Sequence, residues 1–315
     1  MRVATWNLEN LFAPHVSDVA PTTQTAYRAK LDALASIIDG LALDVVAVQE
    51  VGPPPVLSDL AAAIGGTWHT EVAAPDGRGI RVGLMSRSSL RDVEQVTQFP
   101  SGLGAVQVDD AGHTLSQLGR PALKGTVTIG GREVHVVSAH LKSKLLTFPG
   151  GRFSTSDEDE RARYGVYALH RRASEAAGVR AYATALLAQP GSTGRVAAVV
   201  IAGDLNDDTD AATTQLLHGP PGSEIGTPGF GRPDAGDGQR LWNLASLIPE
   251  PDRYTRVYRG RRELIDHILV SAPLAGAVTA VGAGPGASPS ITDDPVARRN
   301  EPGSDHRPVY AQFND

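Results

Sequence analysis

The chain has 315 residues, 41% hydrophobic and 20% charged, with a formal net charge of −6. That is the balance of a soluble globular protein with ample core, and it disfavours a protein dedicated to coating nucleic acid, while leaving room for an enzyme with a locally basic groove. With no cysteine, disulfides, thiol catalysis and thiolate metal sites are excluded, and only oxygen and imidazole ligands remain.

The start, MRVATWNLENLF, meets Asn7 and Glu9 too early for a signal-peptide core, and no apolar run approaches membrane-spanning length. The expectation is a cytoplasmic protein without membrane insertion or an obligate protein partner. No repeat or linker divides it, so one domain is expected over residues 1–315.

Strand signals fall at Arg2–Trp6, Asp44–Val48, Ile80–Ser86, Gly125–Ile129, Glu133–Ala139, Arg195–Ala202, Leu264–Val270 and Pro308–Phe313. Between them, Thr25–Gly40 carries Leu31, Leu34, Ile37 and Ile38 at helical spacing and ends on glycine. Val56–Ile64 is a second helix, stopped by Gly65-Gly66. Asp157–Leu187 is the longest, with possible breaks at Gly165 or Gly178, and acids on its first turn that suit the helix dipole. Asp210–Leu217 is a fourth. Gly130-Gly131 joins two consecutive strands as a tight hairpin. Helices and strands do not alternate strictly, so a mixed-sheet α/β protein is expected. Gly219–Asp237 and Val281–Ser304 read as long loops, which in a compact enzyme are usually functional or mobile.

The strand ends carry the chemistry. VVIAGDLNDD runs four apolar residues into Asp204 and Asn206, two residues apart and therefore on one side of an extended chain. Open α/β sheets place ligand sites at such ends. The first strand ends on Asn7, followed by Glu9 and Asn10; the second puts Glu50 at its tip; VHVVSAH ends on His140. Asp266 lies inside ELIDHILVS, and Asp305-His306 precede the last strand. One such acid is ordinary turn chemistry, but six ends of this kind form a set. Glutamate, aspartate and amide oxygens suit Mg²⁺, with Mn²⁺ as a substitute. Histidines beside carboxylates bind phosphate or move protons. Together they can activate a water, neutralise phosphate oxygens and assist a leaving group.

TWNLEN, VVAVQEV, SAHLKS, IAGDLND, IDHILVS and SDHRPV resemble the motifs of the endonuclease/exonuclease/phosphatase superfamily, in this order and from Thr5 to Val309. The resemblance implies a DNase I-like, four-layer sandwich: two packed mixed β-sheets flanked by helices. It implies that Glu50 is the principal Mg²⁺ ligand, with Asn7 supporting the metal or a phosphate oxygen and Asp305 adding a metal contact. Asp204 would orient or deprotonate the attacking water, with Asn206 beside it. His306 would meet the phosphate as an imidazolium, its ring held by Asp266. His140 is the expected general acid, paired with Glu71 on an earlier strand. His267 points away from Asp266 and is expected in the core or behind the site, and Asp207 and Asp208 are expected to cap the helix or loop after them.

Arg81 and Lys142 are the expected substrate-binding cations. DRYTRVYRGRREL interleaves five arginines with Tyr254 and Tyr258, which could follow a nucleic-acid backbone and stack bases or could be a solvated hairpin. The expected activity is Mg²⁺-dependent phosphoester hydrolysis, foremost on nucleic acid. A small polyanion such as an inositol or nucleotide phosphate is the alternative substrate, and a non-catalytic binding module on the same fold is the rival from another class.

Overall fold

The computed structural model describes residues 1–189, 197–285, 288–294 and 296–314. The expected strand start at Arg195 and Val196, and Gly286, Ala287 and Pro295 of the expected long loop, lie outside the described residues.

The strands are β1 (Arg2–Leu11), β2 (Val45–Val51), β3 (His69–Val72), β4 (Arg81–Ser86), β5 (Arg91–Gln98), β6 (Val106–Gln107), β7 (Thr114–Leu115), β8 (Gln117–Ile129), β9 (Arg132–His140), β10 (Ala198–Asp204), β11 (Trp242–Asn243), β12 (Arg256–Tyr258), β13 (Arg261–Glu263), β14 (Asp266–Val270), β15 (Val278–Ala283), β16 (Ser290–Ile291) and β17 (Val309–Phe313). The helices are α1 (Gln24–Gly40), α2 (Pro54–Ile64), α3 (Glu158–Leu187), α4 (Ala212–His218) and α5 (Ala272–Ala275).

Two six-stranded sheets dominate, in the orders β15-β17-β1-β2-β4-β3 and β11-β14-β10-β9-β8-β5. Each is built the same way. A parallel pair sits at its centre, β1 with β2 and β10 with β9, and an antiparallel strand flanks each side. Strand alternation then makes the layers. Val3, Val45, Ala47 and Val82 of the first sheet pack against Val134, Val136, Val200 and Ile268 of the second. Ala4, Trp6, Val46 and Val48 turn outward onto Leu31, Leu34 and Ile38 of α1 and Leu57 and Leu60 of α2. Val137, Val199 and Ile201 turn outward onto Val179, Ala183 and Leu186 of α3. The result is the four-layer α/β sandwich with two mixed sheets.

Local chemistry sets the helix ends. The Thr23 hydroxyl accepts from Ala26 N at the start of α1, and the Asp157 carboxylate accepts from Asp159 and Glu160 N at the start of α3. The expected break in α3 does not occur. At Gly178 the helix runs against β5 and β8 so closely that a Cβ would stand 2.7 Å from the Gln98 carbonyl oxygen; the glycine permits contact, not a bend. The hairpin turn at Gly130-Gly131, both with positive φ, joins strands longer than their apolar centres suggested. Sequence pattern missed β3 and β5, which are edge strands with mostly exposed polar residues.

Candidate functional site

The alternation that fills the core also builds the site. In β1, Val3, Thr5 and Asn7 share the inner face; in β9 it is Val136, Ser138 and His140; in β10, Val200, Ala202 and Asp204. At the end of the two sheets the apolar inner row therefore turns polar. Thr5, Gln49 and Ser138 form the transition, linked side chain to side chain at 3.2 Å, and the Ser138 hydroxyl donates to the Val48 carbonyl across the sheets. One step further, Asp204 is in register with His140 on one side and with Asp266 on the other. Asn7 reaches across from the first sheet and donates from Nδ2 to Asp204 Oδ2 at 3.0 Å.

The first sheet meets this level irregularly. The β1–β2 register shifts between Asn7 and Leu11, and the β2–β4 register between Gln49 and Val51. Glu9, Asn10 and Glu50 all take left-handed backbone, with φ of 48°, 52° and 57°. Such conformations are unfavourable for these residues and cluster where side chains must be re-aimed. Here Asn10 N donates to Glu50 Oε2 at 3.0 Å, tying the two bulges together. Asn206 is a fourth case, with φ of 55°. The strand ends at Asp204, so its alternation does not carry to Asn206. A turn brings Asn206 alongside instead, its N–H donating to Asp204 Oδ1 and its Nδ2 to the Leu141 carbonyl.

His306 lies in the loop before β17. Trp6 Nε1 donates to its carbonyl, and its own N–H donates to the Ser304 hydroxyl, which donates to the Asn7 carbonyl. Its Nδ1 is 2.7 Å from Asp266 Oδ2. Asp204, Asp266 and His306, all buried, bring ligand-type atoms within 4.8 Å of one another.

Electrostatics separates these groups. Burial works against a charged His306, but Asp266 and Asp305 outweigh it and hold the ring up at about 10, so it is an imidazolium at neutral pH. Burial and the neighbouring Asp266 carboxylate push Asp204 up to about 7. Burial, with Arg120, His306, Arg78 and Lys142 nearby, holds His140 well below its usual range, so its ring is neutral. Its Nε2 lies 3.5 Å from Asp204 Oδ2. Burial and the Asp305 charge push Glu9 up to about 7, although Arg298 bonds it at 2.8 Å.

These residues open on a cleft of about 730 Å³, with Asn7, Glu50, His140, Asp204, Asn206, Asp305 and His306 on its walls and Asp266 buried behind His306. Three expected site residues fall elsewhere. Glu71 is exposed on the edge strand β3 and does not line the cleft; of His140, with which it was expected to pair, the Nδ1 has no hydrogen-bond partner among the described residues. Arg81 donates to the Gly79 carbonyl beside it, while Arg78, three residues earlier, lines the cleft. The DGRG turn explains the difference: Asp76 Oδ1 accepts from Arg78 N and Ile80 N and projects the turn inward. Lys142 is turned inward, its ammonium donating to the Ser143 and Leu145 carbonyls. His267 faces the other side of β14 and bonds the Asp207 carbonyl, and Asp207 accepts from Thr213 and Arg172. Glu9 was noticed in sequence only as a neighbour of Asn7; its place in the cleft depends on the bulge.

The arginine-rich segment also reads differently in three dimensions. Arg256 pairs with Glu263, Arg259 with Asp293, Arg253 donates to Ile248 and Ser246 carbonyls, and Arg262 stacks on Tyr254. Its charges are largely committed to the segment's own folding onto the β12–β13–β16 sheet.

Strand ends of two packed mixed sheets, bringing buried carboxylates, amides and an imidazolium to one cleft, define a class of phosphate-handling sandwich proteins. A family model described as the endonuclease/exonuclease/phosphatase family matches residues 4–306, and the chain belongs to that family. No curated protein matches it by sequence. Among solved structures, the chain is similar to a mannosyl-6-phosphatase of Bacteroides thetaiotaomicron (16% identity, all of both chains covered, TM-score 0.59). It is also similar to humanised D. rerio TDP2 (17%, 100% and 99% covered, TM-score 0.57) and to the 3′ phosphatase NExo from Neisseria bound to a product DNA hairpin (18%, all of both chains covered, TM-score 0.50). At these identities the likeness is one of fold. Among the described residues no helix is long and apolar enough to cross a membrane.

Proposed function

We propose that the chain acts as one domain and is a metal-dependent phosphoester hydrolase. The observation that carries this is the convergence of five strand ends on one cleft, with the sixth, at Asp266, buried behind His306, and with a pre-charged imidazolium beside a carboxylate of pKa about 7.

The donor set fits a hard divalent cation, Mg²⁺ or Mn²⁺. Glu50 and Asp305 face the cleft with the Asn7 amide, and the Asp305 charge helps raise Glu9. Such mutual repulsion is relieved by a cation. The Asp204–Asp266–His306 cluster already contains a positive charge in its imidazolium, so Glu50, Asn7 and Asp305 are the better residues to hold the ion. When bound, it would polarise the phosphate and neutralise its oxygens.

The chain's own groups supply the rest. Asp204 is fixed by Asn7 and Asn206 N–H groups and takes the proton of the attacking water. His306, held by Asp266, meets the charge that builds on the phosphoryl oxygens. His140 starts neutral, so it serves as acid only after receiving a proton, and Asp204 is within 3.5 Å to give it.

For the substrate, a compact phosphoester is the better-supported reading. Among the described residues eight carboxylates and four Lys or Arg side chains line the cleft. Lys144, Arg256 and Arg298 of these four are paired with Asp207, Glu263 and Glu9. A long polyanion finds few unspent cations there. Nucleic acid is the second reading, favoured by the DNA-bound structure of the similar 3′ phosphatase. Purified protein with Mg²⁺, then with a chelator, is assayed on bis-p-nitrophenyl phosphate, p-nitrophenyl phosphate, inositol phosphates, supercoiled plasmid and single-stranded RNA. Metal-dependent turnover of the small esters with intact polymers is the expected outcome. Efficient polymer cleavage reverses the substrate order, and no turnover on any of them overturns the reading.

A further inference from the structure

Beside the main cleft lies a second cavity of about 420 Å³, and the two share Glu50, Arg78, His140, Ser143 and Leu145 on their walls. Its character is opposite. The charged residues of the main cleft are mostly carboxylates, whereas those of this cavity are four cations, Arg78, Arg120, Lys142 and Arg171, against two carboxylates, Glu50 and Asp76. Some of that charge is compensated: Arg120 bonds Asp76 at 2.8 Å and Arg171 bonds Glu175 at 2.8 Å. Arg78 is not. It is exposed on the DGRG turn, and among the described residues its guanidinium has no hydrogen-bond or ion-pair partner. The turn itself is rigidly made, since one carboxylate, Asp76, holds the Arg78 and Ile80 N–H groups with one oxygen and Arg120 with the other.

Two buried side chains on the same walls carry unpartnered nitrogens. The Arg120 side chain is 9% exposed, and among the described residues its Nε has no partner. The His140 side chain is 5% exposed, and among the described residues its Nδ1 has none. Both residues belong to this cavity's lining, so two of its wall residues carry buried nitrogens left without partners among the described residues, which is uncommon in a folded protein.

We propose that this cavity is an anion subsite, which takes a second phosphate or carboxylate of the substrate while the reacting phosphoester lies in the main cleft, with Arg78 as its direct ligand. The inference rests on the phosphoesterase reading and narrows it: the substrate is a compact ester with two anionic groups, one reacting and one held. The crowding of cations agrees with this. Burial, with Arg171 and Arg78 nearby, pushes the Lys142 ammonium down to about 7, a positive field that an anion would relieve. Arg78 is also the free one of the four cations lining the main cleft among the described residues, and it lines both spaces.

Binding separates this idea from turnover. Calorimetric titration in Mg²⁺ compares propyl phosphate with 1,3-propanediol bisphosphate and with the phosphate ester of 3-hydroxypropanoate. Wild-type protein is expected to prefer a doubly anionic ligand by about tenfold or more, the scale of one charge-assisted hydrogen bond. Arg78→Ala is expected to collapse that ratio towards one, Arg78→Lys to restore part of it, and Arg261→Ala, an exposed arginine elsewhere, to leave it intact. A preference shared by the carboxylate ester supports a site that reads charge; one confined to the bisphosphate supports a site that reads phosphate. Equal affinities in the wild type, or a ratio unchanged in Arg78→Ala, overturn the subsite. Absence of turnover on every phosphoester overturns the hydrolase reading instead, and the binding ratio is still read.

Discussion

The two sheets have the same central pairing, yet they deliver their polar ends in different ways. In the second sheet the register is unbroken up to the site, and Asp204 sits in one row with His140 and Asp266, all buried. In the first sheet both central strands bulge at that level, and Glu9, Asn10 and Glu50 are re-aimed by left-handed backbone. Regular strand burial yields groups with displaced pKa values, suited to proton transfer. Of the bulged residues, Glu50 keeps a half-buried carboxylate suited to a hydrated cation, while burial pushes Glu9 up to about 7 as in the other sheet. One end of one sandwich thus offers two chemistries because one sheet keeps its alternation and the other breaks it.

That contrast can be broken experimentally. The largest effect should come from chelation, which is expected to abolish turnover, with Mg²⁺ restoring it; full activity in a metal-stripped sample removes the cation from the first sheet's account. Next, Asp204→Asn should slow turnover by at least about 100-fold, the scale of lost proton transfer, with an unchanged melting curve and unchanged metal affinity. A near-wild-type rate would show that the second sheet's row is structural. Glu50→Gln should behave differently. Its metal affinity should fall by about tenfold or more, since even residues that merely support a ligand cost that much, and raising Mg²⁺ should recover part of the rate. If the loss in Glu50→Gln ignores Mg²⁺ while that in Asp204→Asn responds to it, the assignment of the two sheets is reversed.

A smaller effect concerns Lys142, just beyond β9. Its ammonium is pushed from 10.5 to about 7. Between those values the unfolded chain binds the proton that the folded chain does not, so through this group stability rises with pH from about 7 to 10.5. Lys142→Met should flatten that rise in denaturant titrations at pH 7 and 10, and an unaltered slope would mean that the ammonium stays charged when buried. Smallest of all, Arg261→Ala, at an exposed residue outside the cleft lining, should change turnover on small esters by no more than about twofold, as surface substitutions away from a site do. A tenfold loss would return the arginine-rich segment to the substrate path.

Sequence showed the buried centre of each sheet and the polar residues that end it, because a short Val- and Ile-rich run closed by Asp, Asn, Glu or His is a local signal. It did not show which strands pair, and so the repeated pairing of the two sheets went unseen. Edge strands β3 and β5 carry too little apolar pattern to register. The charged segments misled for a related reason. Whether Arg256 or Arg259 faces solvent or a carboxylate is set by partners such as Asp293, 34 residues away from Arg259. Arg78 and Arg81 differ by three residues on a turn, and only the Asp76 hydrogen bonds decide which one points to the cleft.

The Thr5–Gln49–Ser138 chain, wholly buried behind the site, bears on how such a protein can change over generations. It crosses from one sheet to the other and back, so sliding either sheet past its mate would strand several buried hydrogen-bonding groups at once. The spacing between the two halves of the candidate site is therefore held fixed from below. On the proposed function, variation that alters which ester is accepted falls to segments above it, such as the 76–81 turn, which lies outside the hydrogen bonds that join Asn7 to Asp204.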